Sequence, residues 1–168
     1  VESSSFTAGN ASNDENEIIQ FGETVNLSLN LENVGNDDAA DVEITLSTDD
    51  EYINITTGFL TVFSLPSDNS YNVEGFTFDV DANIPNEYDF EINCTIAADG
   101  EVWESSMNFT AYAPYIEVNS VIGSLDPGIS TTVEVNLLNS GAADIHSPMI
   151  SVVGDLYVTV NESSFTNA

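Results

Sequence analysis

The sequence predicts an all-β protein, two related antiparallel β-sandwiches in series, the second of them incomplete. Three observations carry this. Apolar and polar residues alternate strictly, turn signals punctuate the alternating runs, and one stretch of the chain recurs 106 residues later, Gly22 falling on Gly128. Val25, Leu27, Leu29 and Leu31 interleave with Asn26, Ser28, Asn30 and Glu32. Phe90, Ile92, Cys94 and Ile96 interleave with Glu91, Asn93 and Thr95, and Val133, Val135 and Leu137 with Glu134 and Asn136. A period of two means one buried and one wet face, the pattern of antiparallel sheets. Asn33-Val34-Gly35, Asp99-Gly100, Asp126-Pro127-Gly128 and Asn139-Ser140-Gly141 supply the turns.

Gly22 to Gly35 superimposes on Gly128 to Gly141 without a gap. Leu27 falls on Val133, Leu29 on Val135, Leu31 on Leu137 and Asn33 on Asn139; further on, Ala39-Ala40-Asp41-Val42 meets Ala142-Ala143-Asp144-Ile145 and Tyr52–Ile55 meets Tyr157–Val160. Such a period is too long for a solenoid and matches the roughly 100 residues of an immunoglobulin-like sandwich. The expected boundary is at Ala111–Pro114, giving one sandwich over residues 1–113 and the first half of a second over 114–168. With almost no linker and a proline at the junction, the pair is expected to form a semi-rigid rod. Counterparts of Tyr71–Val80, Glu87–Ile96 and Val102–Tyr112 are missing from the second unit. Either the chain is a fragment of a longer protein, or strands from a neighbouring chain complete it.

The stretches Gly22-Glu23-Thr24-Val25, Leu29–Gly35 and Ala39–Ile44 resemble the tandem Ig-like modules of secreted bacterial surface proteins, as do Leu125–Gly128 and Ala82–Pro85. Modules of this kind follow the catalytic domains of gingipain-type peptidases and occur in type IX-secreted adhesins. Phe21 stands where those modules usually have proline, and no type IX export signal is present. The resemblance implies a non-catalytic extracellular module and brings no active-site residues with it.

The charge balance excludes several function classes. The chain has 168 residues with 29 Asp plus Glu, no Lys or Arg, and a formal net charge of −29. Nucleic-acid binding needs clustered basic residues, and so does docking to anionic lipid. Apolar runs are only a few residues long, so no membrane insertion is expected. A signal-peptide pattern is missing too, and the chain reads as a mature or excised piece. At 42% hydrophobic and 10% aromatic residues, the composition is that of a folded domain rather than a disordered acidic tail. The missing Lys and Arg also leave trypsin-like proteases no site to cut.

No enzyme is expected. Nucleophilic catalysis needs a base beside its nucleophile, and the lone Cys94 and lone His146 fall in different units. Cys94 shares the inward parity of Phe90 and Ile92 and reads as a buried thiol. Trp103, in phase with Met107 and Phe109, reads as core, and His146 as a partly exposed loop residue. Chance carboxylate pairs are inevitable among so many acids, so glycosidase chemistry has no specific support.

Calcium is the one cofactor the sequence suggests, because hard cations take Asp, Glu and Asn oxygens and would relieve the repulsion among unpaired acids. The candidate ligands are Asn13, Asp14, Glu15, Asn16 and Glu17, in a loop longer than its counterpart in the repeat. The loop lacks EF-hand spacing, and a solvated acidic turn is its plainer reading. Asp37-Asp38, Asp49-Asp50-Glu51 and Asp79/Asp81 are weaker candidates. Asn-x-Ser/Thr sequons make Asn10, Asn26, Asn54, Asn93, Asn108 and Asn161 candidate glycosylation sites. The function expected is therefore a structural spacer or adhesion module of a secreted or cell-surface protein, possible calcium loops included. Its partners are expected to be other domains of a larger protein. The alternative is a filament or sheath subunit completed by strand exchange between copies.

Overall fold

A computed structural model describes residues 4–8, 18–146 and 148–161, and every regular element in them is a strand. In chain order these are β1 (Ser4–Ala8), β2 (Ile19–Gln20), β3 (Thr24–Asn33), β4 (Ala39–Ser47), β5 (Ile53–Thr57), β6 (Phe59–Leu65), β7 (Asn69–Val80), β8 (Tyr88–Ala98), β9 (Glu101–Tyr112), β10 (Ile116–Ile122) and β11 (Glu134–Asn139).

The alternating runs do what their period demands. Val25, Leu27, Leu29 and Leu31 of β3 turn inward, and so do Val42, Ile44 and Leu46 of β4 and Phe90, Ile92, Cys94 and Ile96 of β8. They meet between two sheets, one ordered β1-β3-β7-β5 and the other β2-β9-β8-β4-β6. Phe78 from the first sheet packs edge-on against Phe90 of the second with centroids 5.9 Å apart, and Phe90 stacks on Phe109 at 5.5 Å. Cys94 is buried here, as its parity predicts.

Lettered by position, the first sheet is A-B-E-D and the second carries G-F-C. This is the division of an immunoglobulin-like sandwich. Both flanks of the sandwich are laced by segments that change sheets. β1 lies beside β3, while β2 pairs in parallel with β9; β5 lies beside β7, while β6 pairs with β4. On β7 a bulge at Glu74–Gly75, where the register slips opposite Ser28, brings Val73 and Phe76 onto the same inner face although they are three residues apart.

Trp103 departs from expectation. It opposes Ile96 in the ladder and so has inward parity, yet it is 47% exposed. The neighbour of β9 on its outer side, β2, pairs only at Ala111 and Tyr112, so the first half of β9 is an open edge and its indole lies at the rim rather than in the core.

After Tyr112 the chain forms a two-stranded antiparallel sheet, β10-β11. β11 is the repeat counterpart of β3, and β10 stands to it as β1 stands to β3. Ser4 pairs with Leu29, and Val121 with Val135, the counterpart of Leu29. Ser4 and Val121 are 117 residues apart where Gly22 to Gly35 and Gly128 to Gly141 are spaced by 106, which places an 11-residue insertion between β1 and Gly22. The alternation at Tyr157–Val160 suggests a strand, but none forms there: among the described residues from 140 to 161 no regular element occurs. In the first unit the matching segments are held by ladders to β6, β7 and β8, and no described strand takes those parts in the second.

Candidate functional site

Local structure is repeated more faithfully than burial. Gly22, just before β3, has φ +70, and Gly128, six residues before β11, has φ +74, a left-handed conformation that favours glycine. At the other end of these strands, Asn33 Oδ1 accepts from Gly35 N at 3.0 Å and its Nδ2 donates to the Asp37 carbonyl at 2.9 Å. Asn139 repeats both contacts, accepting from Gly141 N at 3.1 Å and donating to the Ala143 carbonyl at 2.8 Å. The same side chain thus folds the same loop twice.

The two loops then meet different neighbours. Asn33 Nδ2 reaches the Leu65 carbonyl at 2.9 Å, tying β3 to the end of β6. Asn139 Oδ1 accepts from Tyr115 N at 3.0 Å, and Ser140 N donates to the Tyr115 carbonyl at 2.8 Å, tying the second loop to the junction between the units. From the turn between β7 and β8, Asn86 Oδ1 accepts from Ala113 N at 3.2 Å and from Ala142 N at 3.3 Å. A Cβ on Gly141 would collide with Tyr115 N and Ala113 O. In the sequence, Asn33, Asn139 and Gly141 read as turn residues only. Their equal spacing was a usable signal, whereas Asn86 has none, because its partners are 27 and 56 residues away.

Four of the acidic candidates accept hydrogen bonds, Asp38, Asp50 and Asp81 in turns and Asp79 across the β3–β7 ladder. Asp38 Oδ1 takes Ser67 N at 2.9 Å. Asp50 takes Tyr52 N at 2.8 Å and the Tyr88 hydroxyl at 3.0 Å. Thr24 Oγ1 donates to Asp79 at 2.6 Å, and Asn83 N to Asp81 at 2.7 Å. In a chain without Lys or Arg, backbone N–H and hydroxyl groups do what basic side chains usually do. Hydrogen bonding to Asp50, with a smaller part from burial, raises the Tyr88 pKa. Burial alone pushes the Cys94 thiol up. Among the described residues no group of three or more His, Cys, Asp or Glu is arranged to hold a metal. Asn13, Asp14, Glu15, Asn16 and Glu17, together with Asn10, lie outside the described residues.

Asn26, Asn54, Asn93, Asn108 and Asn161 are all exposed. Asn26 and Asn54 are on the sheet of β3 and β7, Asn93 and Asn108 on that of β8 and β9. His146 is exposed in the second unit and Cys94 buried in the first. An open groove between β6 and β7, lined by Leu60, Val62, Tyr71, Val73 and Glu74, marks where the sheets part at that flank. No helix among the described residues is long and apolar enough to cross a membrane.

The topology defines the first unit as an immunoglobulin-like sandwich. Neither a family model nor a curated protein sequence matches the chain. Two solved structures of Escherichia coli alpha-2-macroglobulin are similar to it. One is a cryo-EM reconstruction of the native conformation, 11% identical with a TM-score of 0.46 over 71% of this chain and 7% of that one. The other, a crystal structure from domain MG7 to the C-terminus, is 10% identical with a TM-score of 0.46 over 73% of this chain and 20% of that one. The chain thus spans only a small part of either.

Proposed function

We propose that this chain is a non-catalytic spacer or adhesion module of a secreted or cell-surface protein, similar to the tandem Ig-like modules of secreted bacterial surface proteins. The observation that carries the reading is the loop built twice, at Asn33 and at Asn139, on two units joined by only Ala113-Pro114-Tyr115. Like units in close series make a rod, and a rod acts by holding other domains at a distance. Small-angle scattering on residues 1–168 tests it: the expected result is a monomer with an elongated profile, and a profile of two freely jointed bodies would overturn it. Calcium and glycans belong to this reading as well. Bound Ca²⁺ would raise the melting temperature in line with RT ln(1 + [L]/Kd), and identical melts with chelator remove it. Mass spectrometry of the exported protein reads glycan occupancy at Asn26, Asn54, Asn93 and Asn108.

A second reading, a filament or sheath subunit completed by strands from neighbouring copies, is favoured by one observation. Val118, Val121, Val135, Leu137 and Leu138 of β10 and β11 are exposed, and an open sheet with an apolar face is prone to pairing. Light scattering across a concentration series separates the two readings, since growth into fibres would replace the first with the second.

A further inference from the structure

The segment between the units is more than a tether. Among the described residues beyond Ala113, Ala143 is the one hydrophobic residue that is buried, at 1% exposure, although it belongs to a unit otherwise open to water. It lies in the loop after β11, which is folded by Asn139 and carries Gly141 against the backbone of Ala113–Tyr115. Small residues let two backbones approach there. The half-buried Asn86 then closes the joint from the first unit, one oxygen receiving an N–H from the connecting segment and another from the β11 loop.

We infer that Asn86 is a positioning residue that locks the β10-β11 unit in one orientation on the first sandwich, the contact being an interface between two like units. This deepens the rod reading and rests on it. Two features make the lock specific. Both donors are backbone N–H groups, so their positions are fixed by the main chain and not by rotamers. Asn86 uses its oxygen for both, so what the joint requires is an acceptor. An aspartate can serve in its place and an alanine cannot.

The test is amide hydrogen exchange and residual dipolar couplings on the ¹⁵N-labelled full chain. In the unmodified protein, the Ala113 and Ala142 amides should be protected, and one alignment tensor should fit both units. Asn86→Ala should speed exchange at both amides at least tenfold and require separate tensors, while Asn86→Asp should stay within about twofold of the parent at both. Should Asn86→Ala disturb the first sandwich, seen in shifts of the Ile44 and Phe78 amides, Gly141→Val attacks the joint from the other side and should also separate the tensors. Two tensors in the unmodified chain would sink the rod and the lock together. A single tensor that survives both Asn86→Ala and Gly141→Val would sink the lock and leave the rod standing.

Discussion

Leu31 and Leu137 hold the same place in the repeat, yet Leu31 is 1% exposed and Leu137 42%. The strands carrying them have the same alternation and end in the same Asn-folded loop, and a left-handed glycine precedes each, two residues before β3 and six before β11. What differs is the company. β3 lies between β1 and β7 and faces a second sheet, whereas among the described residues β11 has β10 alone. Turns and loops are therefore written into short stretches of sequence and form wherever those stretches occur. Burial belongs to the assembled sheets, and two strands cannot supply it.

The sharpest way to break that comparison is to cut both leucines to alanine. Leu31→Ala should cost about 2–5 kcal/mol, the usual range for a fully buried leucine. Leu137→Ala should cost less than about 1 kcal/mol, because water already covers much of the side chain. Urea melts of the two variants against the parent read the difference. Equal losses would mean that β11 is buried in solution, against an assembled partner. The asparagines come next. Asn33→Ala gives up contacts with Gly35, Asp37 and Leu65 and should cost about 1–2 kcal/mol in the same melt. Asn139→Ala should leave the melt of the first sandwich nearly unchanged and instead speed amide exchange at Gly141 and Tyr115, whose N–H groups it releases.

Much of the first sandwich was legible because period two, once recognised, assigns each residue a face. Cys94 and the β3 and β8 cores follow from parity alone. Trp103 shows where parity stops: it names the face but not whether a strand lies beyond the edge to cover it. Tyr157–Val160 shows the same limit from the other side, since alternation prepares a strand and only a ladder partner makes one. The joint was the least legible part. Asn86 meets the loop after β11 across 56 residues, and no local pattern encodes a contact that the packing of two units creates. The acidic turns are ambiguous in sequence for a related reason. A carboxylate that caps backbone N–H groups, as Asp38 and Asp50 do, has the same side chain as one that binds calcium.

A glycine pair sharpens the same comparison. Gly35 and Gly141 are repeat counterparts, but an added Cβ at Gly35 meets only Asn33 Oδ1, at 3.1 Å, while at Gly141 it meets the connecting backbone. Gly35→Ala should change stability by less than about 0.5 kcal/mol, with any gain coming from a stiffer unfolded chain. Gly141→Ala should cost about 1–3 kcal/mol of local stability through overpacking, read as faster exchange at Ala142 with the first sandwich unaffected. A neutral Gly141→Ala would place the two units farther apart than the joint described above.

The smallest effect separates the units by chemistry. Cys94 is buried in the first sandwich, and burial holds its pKa above the ordinary 9.0. The folded thiol therefore keeps its proton at a pH where the unfolded one has lost it. This contribution to stability is complete below pH 9, and it falls away as the pH rises from there through the folded value. Tyr88, raised from 10.0 chiefly by its hydrogen bond to Asp50, acts in the same direction but begins about one pH unit higher. Alkaline melts should thus lose stability in two stages, both belonging to the first unit. Cys94→Ala lowers the whole curve by its lost packing, so the informative quantity is slope. Between pH 9 and 10 the variant's melting temperature should decline less steeply than the parent's, and Tyr88→Phe should flatten only the part above pH 10. Parallel curves for Cys94→Ala and parent would mean that the thiol is open to solvent, and that the inward face of β8 is not the sealed layer that distinguishes the first unit from the second.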